Sequence, residues 1–144
     1  MESIVDTDPI NDSKKYYAIL VASSGKGTLS GKLVSLVLRC QKGDSDFYIN
    51  WESFISKVDD GNYVTYRIGT NEPKVTYGLL STDSKATFLE PSPVTEFVPF
   101  LKSFAEASTF VARITPFQES PITATWDLTG SDVALGDIRK NCNW

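Results

Sequence analysis

The chain contains no histidine, and this limits the chemistry that its other polar side chains can do. Serine and cysteine nucleophiles of many hydrolases depend on a histidine base, so Ser-His and Cys-His pairs are excluded. The two cysteines, Cys40 and Cys142, are too few for a four-cysteine zinc site, and mixed cysteine-histidine sites are excluded as well. We therefore expect no metal site, no cofactor and no hydrolase of these two kinds.

Paired carboxylates are the remaining candidates for acid–base chemistry. Asp44 with Asp46, and Asp59 with Asp60, are close in the sequence. Each pair lies in or beside a predicted hairpin turn, where acidic residues are ordinary solvated turn formers. A glycosidase needs two carboxylates about 5–10 Å apart in a cleft. The pattern therefore favours a protein that is not an enzyme.

Arginines in predicted strands are candidate binding residues. Arg39, Arg67 and Arg113 fall within strands or at strand ends. Such a residue either pairs with a carboxylate on a neighbouring strand, such as Glu52 or Asp127, or belongs to a surface that binds carboxylates. We favour structural pairing and keep Arg67 and Arg113 as candidate binding residues.

The two cysteines have two possible states. Cys40 ends a predicted core strand, and Cys142 lies on the inward face of a predicted C-terminal helix. A bridge between them would close a loop of about 100 residues and indicate an oxidising compartment such as the periplasm. The alternative is two separate buried thiols in a cytosolic protein. With the bridge, we expect a periplasmic protein in which Met1 replaces a signal peptide.

Composition indicates one packed domain over residues 1–144. Apolar residues make up 41% of the 144-residue chain and aromatic residues 12%, which is typical of a globular domain. A net charge of -4 with scattered basic residues argues against nucleic-acid binding. The apolar runs are far shorter than the roughly 20 residues that a membrane-spanning helix needs.

The predicted core is a hairpin over residues 33–53. Its first strand presents the inward row Val34, Leu36, Leu38 and Cys40, and its second strand presents Phe47, Ile49 and Trp51. Gly43, Asp44 and Ser45 form the predicted turn between them. Trp51 is therefore expected to be an interior residue.

Further strands are predicted on both sides of this hairpin. Residues 1–13 read as an extended arm, residues 16–23 as a strand and residues 23–32 as a flexible loop that fails the phosphate-loop pattern. Residues 63–68 alternate with Val64, Tyr66 and Ile68 facing inward, and residues 74–80 with Val75, Tyr77 and Leu79 facing inward. A short strand is predicted at residues 86–89.

The periodicity becomes helical after residue 92. Val94, Phe97, Leu101, Phe104 and Ala105 share one helical face, Ser92 is the predicted cap, and Pro99 is expected to kink or divide the helix. Two more strands follow at residues 109–115 and 122–129, the second with the inward row Ile122, Ala124, Trp126 and Leu128. Leu135, Ile138 and Cys142 share a face of a last helix, with Trp144 expected either to pack loosely or to cap it.

These elements predict a mainly β fold, with α+β as an alternative class. We expect an antiparallel β-sandwich or a strongly curled sheet, with one helix packed on it and a short C-terminal helix.

Several stretches together resemble the TagO proteins, also called VasI, which are associated with bacterial type VI secretion. The matching segments are DPINDSK at 8–14, LVLRCQKG at 36–43, FYINW at 47–51, VTYRIG at 64–69, LSTDSKATF at 80–88, RITPFQESPITATWDLTG at 113–130 and ALGDIRKNCNW at 134–144. The chain departs from the family in lacking a leader and in a longer loop at residues 23–31. The resemblance implies an exported envelope protein encoded beside secretion or prophage genes, and it implies no enzymatic activity. Our first hypothesis is an accessory protein that contacts an envelope or secretion-system protein through exposed loops.

Loops are the predicted binding elements. The segment TPFQESP at 115–121 is stiffened by two prolines and carries Phe117, Gln118 and Glu119, with Phe117 either an exposed anchor or part of the core. A rival hypothesis is a periplasmic inhibitor of a peptidoglycan hydrolase, in which loop 23–32 or loop 116–121 blocks the enzyme.

Overall fold

The computed structural model describes residues 1–56, 60–91 and 94–144, which form nine antiparallel strands and two α-helices. The strands are β1 (Glu2–Thr7), β2 (Lys14–Lys26), β3 (Leu33–Gln41), β4 (Asp44–Asn50), β5 (Gly61–Ile68), β6 (Lys74–Leu80), β7 (Ala86–Phe88), β8 (Thr109–Ile114) and β9 (Ile122–Asp127). The helices are α1 (Phe97–Glu106), which follows a 3-10 turn at Val94–Glu96, and α2 (Ser131–Cys142). In these ranges, no helix has the length and apolar character needed to cross a membrane.

The sheet closes on itself. Its strand order is β1-β2-β3-β4-β7-β6-β5-β8-β9, and β9 pairs again with β2 through Thr125 and Ser24. The Trp126 indole N–H also donates to the Leu20 carbonyl across this seam, at 3.0 Å. The mainly β prediction is confirmed, but the expected sandwich is wrong, because strands β2 to β9 form a barrel with a filled interior.

The N-terminal segment is a strand rather than a free extended arm. Glu2 to Thr7 pair with β2 from Ile19 to Lys14, outside the closed barrel. All six side chains of this strand are exposed. Main-chain pairing therefore holds a segment whose side-chain pattern gives little sign of burial.

The predicted core hairpin is present, with a tighter turn than expected. Its inward side chains are at most 1% exposed; they are Val34, Leu36, Leu38, Cys40, Phe47, Ile49 and Trp51. Gln41 pairs directly with Asp44, so the loop consists of Lys42 and Gly43 alone. Both have positive φ, 52° and 84°, as a two-residue turn of type I′ requires. Asp44 and Ser45 belong to the second strand.

In the next hairpin, the predicted inward row is correct for β5, but in β6 the predicted inward residues face outward. Val64, Tyr66 and Ile68 are buried as predicted, whereas Val75, Tyr77 and Leu79 are 63%, 40% and 52% exposed. Directly paired residues project from the same side of a sheet. Since Lys74 pairs with Tyr66 and Thr76 with Val64, the inward residues of β6 are the polar-looking ones.

The predicted loop at residues 23–32 is shorter than expected. Strand β2 continues to Lys26 through an irregularity after Val21, and only residues 27–32 connect it to β3. Gly27 packs against Glu52 so closely that a side-chain carbon there would lie 2.1 Å from the Glu52 carbonyl oxygen. The connection is therefore fixed against the chain that follows β4.

Helix α1 covers the core with an aromatic face. Phe100, Leu101, Phe104 and Ala105 are buried, and the Phe47 ring meets the edges of Phe100 and Phe104 at centroid distances of 4.9 and 5.1 Å. Pro99 lies in the first turn, where its missing N–H costs no helical hydrogen bond. Helix α1 therefore continues through Pro99 from Phe97 to Glu106 without being divided there, while the predicted Ser92 cap and the Val94 side chain lie outside the described residues.

Helix α2 is fastened to the barrel by the predicted disulfide. Cys40 at the end of β3 and Cys142 at the end of α2 are bonded, with their Cα atoms 6.0 Å apart. Leu135, Ile138 and Cys142 are buried as expected. The helix also packs on β1, β2 and α1, so the disulfide joins two elements that are already in contact.

The three tryptophans are interior residues. Trp51 and Trp126 are fully buried, as predicted, and the Trp51 indole donates to Thr87 Oγ1 at 2.9 Å. Trp144 is 8% exposed rather than loosely packed. Its main-chain N–H donates to the Arg139 carbonyl at 3.2 Å beyond a left-handed Asn143, which confirms the alternative that it caps α2.

Candidate functional site

A row of large apolar side chains faces outward on β5 and β6. Tyr63, Val75, Tyr77 and Leu79 are 40–66% exposed. The Tyr63 and Tyr77 rings pair across the two strands at a centroid distance of 5.1 Å. Monomeric proteins usually expose apolar residues singly, and contiguous groups of them mark contact surfaces. We call these four residues the aromatic face.

The aromatic face continues onto neighbouring strands. Leu79 pairs with Phe88 on β7, and Phe88 pairs with Tyr48 on β4. The Tyr48 and Phe88 rings lie 5.1 Å apart, and both side chains are half-buried. The apolar surface therefore crosses four adjacent strands of the barrel.

Tyr77 is held in place before any partner arrives. Its hydroxyl donates to Asp60 Oδ1 at 2.6 Å. Its ring lies against Gly61, where an added side-chain carbon would come within 2.8 Å of Tyr77 Cε1. Only a residue without a side chain leaves this space for the ring. A fixed aromatic residue loses little conformational entropy on binding, which makes Tyr77 a good anchor.

A groove of about 430 Å³ borders the aromatic face, between β6 and α1. Lys74 to Tyr77 form one wall, and Glu96, Pro99 and Ser103 form the other. Ile68 and Phe100 contribute buried apolar surface to it. The orientation of β6 explains the groove. Lys74 and Thr76 lie on its inward side, where large apolar side chains would have filled this space.

Tyr66 lines the same groove. Its side chain is 6% exposed, and burial raises the pKa of its hydroxyl. In the part of the chain that the structure describes, this hydroxyl has no hydrogen-bond partner, yet it is not sealed from solvent. It is thus a neutral donor and acceptor open to a bound molecule.

The predicted recognition loop lies elsewhere, at one end of the barrel. Phe117 is 39% exposed, and its main-chain N–H donates to the Ile55 carbonyl at 3.0 Å. Gln118 and Glu119 are exposed. They line a cleft with Lys26 and Thr28, so this loop and the β2–β3 connection belong to one surface.

The arginines have other partners than those predicted. Arg39 donates to Asp46, with Nε 2.8 Å from Oδ2, and this bond raises the pKa of Arg39. Arg67 donates to the main-chain carbonyls of Asn71 and Thr70 in the next turn, and Arg113 donates to Thr123 Oγ1 at 2.8 Å. Structural pairing with a carboxylate on the neighbouring strand is therefore confirmed for Arg39, whereas the named partners Glu52 and Asp127 are wrong.

Arg67 and Arg113 nevertheless lie near each other. Arg113 pairs with Thr65 and Arg67 with Val111, so both side chains project outward from adjacent strands. Both are exposed. The structure places them on one surface, and Arg113 reaches toward the loop that carries Phe117, because its partner Thr123 lines the same cleft as Gln118 and Glu119.

The carboxylate pairs have ordinary surroundings. Asp46 binds Arg39, and Asp60 accepts the Tyr77 hydroxyl, while the prediction for Asp59 falls outside the described residues. Within residues 1–56, 60–91 and 94–144, no group of three cysteine, aspartate or glutamate side chains could hold a metal ion.

Sequence reasoning missed the aromatic face and the groove. It placed Val75, Tyr77 and Leu79 inside because they are the apolar residues of an alternating strand. The available signal was the glycine at position 61, since a strand glycine indicates close approach of another group. Comparison with known proteins leaves these surfaces unassigned, because no family model, characterised protein or solved structure matches the chain.

Proposed function

We propose that this chain is a periplasmic binding protein that acts by contact with another envelope protein and catalyses no reaction. The observation that carries the proposal is the aromatic face, in which four large apolar side chains are 40–66% exposed on adjacent strands. An exposed contiguous surface of this kind indicates a partner. The sequence resemblance to TagO proteins makes this chain an accessory protein of a type VI secretion system, or a prophage-encoded envelope protein, and makes an envelope or secretion-system protein its proposed partner.

The disulfide supports the proposed compartment. Cys40 and Cys142 are bonded and both are buried. Stable structural disulfides form mainly in oxidising compartments, including the bacterial periplasm. An envelope protein would therefore keep α2 attached to the barrel throughout its lifetime.

The proposal predicts that Tyr63→Ser combined with Leu79→Ser abolishes partner capture from periplasmic extract. Each substitution should lower the free energy of unfolding by less than about 1 kcal/mol, because both side chains project outward. Captured proteins are identified by mass spectrometry, and stability is followed by urea denaturation.

The matched control is Val133→Ser on α2, where the valine is 83% exposed and the helix packs mainly on β1, β2, β3 and α1. It should leave capture unchanged. An unchanged set of partners in the double variant would contradict the aromatic face as the contact surface.

A second candidate function is inhibition of a peptidoglycan hydrolase. The observation that favours it is the shared cleft between the β2–β3 connection and the loop with Phe117. Two loops at one end of a rigid barrel can enter the active-site cleft of an enzyme. In this case Phe117 is the anchor.

For that function, Phe117→Ala should weaken inhibition of lysozyme on a peptidoglycan suspension by about 30-fold, the effect of losing one aromatic anchor. Tyr63→Ser, on the side of the barrel, should leave inhibition unchanged. If the parent protein does not slow the hydrolysis at all, the inhibitor hypothesis is wrong.

A further inference from the structure

We propose that the open edge of β6 binds an extended peptide segment of a partner, which adds as a strand in the groove between β6 and α1. This inference rests on the proposed function in requiring a protein partner. It goes beyond that function in naming the site, the conformation of the bound segment and its charge.

The backbone of β6 is only partly paired. On one side Lys74 to Leu79 pair with β5, whereas on the other side only Leu79 and Leu80 pair with β7. Strand β7 is three residues long, and the chain then turns toward β4, where Leu89 donates to the Phe47 carbonyl at 2.8 Å. The edge of β6 before Leu79 therefore lacks a neighbouring strand among the described residues.

Val75 presents its main-chain groups at this open edge. The Leu80 N–H donates to the Asp60 carbonyl at 2.8 Å, which fixes the alternation of hydrogen bonds between β5 and β6. Val75, an odd number of residues before Leu80, thus directs its N–H and carbonyl away from β5. Neither group has a hydrogen-bond partner in the described part of the chain.

An added strand would satisfy these groups, and this distinguishes a peptide from other ligands. Main-chain hydrogen bonds to an exposed edge provide the affinity in strand addition, and side-chain pockets provide the specificity. The groove supplies such a pocket between Ile68 and Phe100, and it supplies the free Tyr66 hydroxyl. A saccharide hydroxyl can also bond such groups, but a saccharide lacks the paired main-chain N–H and C=O with which an added strand matches the N–H and carbonyl of Val75.

The charges at the groove indicate which peptide fits. Among the described residues, the charged side chains at the groove are Glu72, Glu96 and Lys74. Two carboxylates against one ammonium leave a net negative rim, which favours a basic residue in the partner. The bound segment therefore has an apolar side chain for the pocket and a lysine or arginine for the rim. Its outward residues would extend the aromatic face.

The test begins with a phage-displayed library of random dodecapeptides selected on the disulfide-bonded protein. The strongest selected peptide is synthesised, and amide hydrogen exchange is measured by NMR with and without it. The Val75 amide should exchange rapidly in the free protein and at least about tenfold more slowly with saturating peptide, as one new hydrogen bond implies. Protection of Val75 in the free protein, or no change with peptide, would overturn the inference.

Paired variants at one position test the backbone directly. Val75→Pro removes the N–H at the open edge without breaking a bond to β5, so the barrel should remain folded. It should bind the peptide about tenfold more weakly than Val75→Thr, which also loses the valine side chain of the aromatic face but keeps the N–H. Equal binding by both variants contradicts strand addition. If Val75→Pro fails to fold, the exchange measurement on the parent protein decides.

Two further arms separate the possible failures. Chitotetraose, a neutral saccharide probe, should leave Phe100 and Ile68 signals unchanged; shifts there without protection of Val75 would replace the peptide by a saccharide. If partner capture survives Val75→Pro but is lost in the Tyr63 and Leu79 variant, the proposed contact function is supported. Strand addition at the edge of β6 is then rejected. Loss of capture in the Tyr63 and Leu79 variant and in Val75→Pro, but not in Val75→Thr, would support both proposals. Loss in Val75→Thr as well would assign the effect to the valine side chain and reject the strand.

Discussion

Replacing Cys40 and Cys142 together by alanine should lower the free energy of unfolding by about 2–5 kcal/mol, the usual cost of removing a native disulfide from a small domain. The two cysteines are 102 residues apart in the sequence. The bridge therefore restricts most of the unfolded chain, and its loss increases the entropy of the unfolded state. Urea denaturation followed by tryptophan fluorescence measures the change.

The parent protein treated with dithiothreitol is the control for this experiment. It should unfold at the same urea concentration as the double alanine variant, since both lack the bridge and keep the same α2 contacts. Identical midpoints for oxidised parent, reduced parent and variant would mean that the bond between β3 and α2 does not contribute to stability.

Phe47→Ala should cost about 3–5 kcal/mol, which is typical of a buried phenylalanine reduced to alanine. Phe47 is 1% exposed and meets the rings of Phe100, Phe104 and Phe110 at centroid distances of 4.9, 5.1 and 5.7 Å. Its removal leaves a cavity between the barrel wall and α1, and takes away edge-to-face contacts with three rings.

The matched control is Tyr63→Ala, which removes an aromatic ring of similar size from the outside of the barrel. Since Tyr63 is 66% exposed, this change should cost less than about 1 kcal/mol. Equal losses in the two variants would contradict the division between core and aromatic face.

The sequence was sufficient for the elements whose apolar rows face one filled interior. The rows on β3, β4, β5 and β9 all become buried, since strong alternation together with β-branched and aromatic residues leaves one favourable orientation. The disulfide was predictable for the same reason, because Cys40 and Cys142 continue apolar faces of a strand and a helix.

Closure of the barrel was not predictable from these patterns. A sandwich and a barrel use strands with the same alternation, and the pair that closes this sheet is Ser24 with Thr125. Both are small polar residues, which carry no periodic signal. The choice between the two architectures therefore depends on where β9 returns in space, which is a long-range property.

The candidate site was missed where one assumption failed. For β6 the more apolar row was assumed to face the core, but the inward row includes Lys74, Thr76 and Gly78. Gly78 is confined by Thr87, because an added side-chain carbon would lie 2.8 Å from Thr87 Cβ. Lys74 and Thr76 face the groove between β6 and α1 rather than the filled interior. On β6 the inward row borders a groove and the outward row is apolar. The usual rule, which assigns the more apolar row to the core, is therefore wrong for this strand.

The bridge between Cys40 and Cys142 also determines how the protein responds to proteases. The loop that carries Phe117 and the turns of the β5–β6–β7 region all lie between the two cysteines in the sequence. One cleavage in any of them leaves both pieces in a single covalent molecule. Hydrolysis of one peptide bond adds only a water molecule to the mass, and the two pieces stay linked, so they separate on electrophoresis only after reduction of the disulfide.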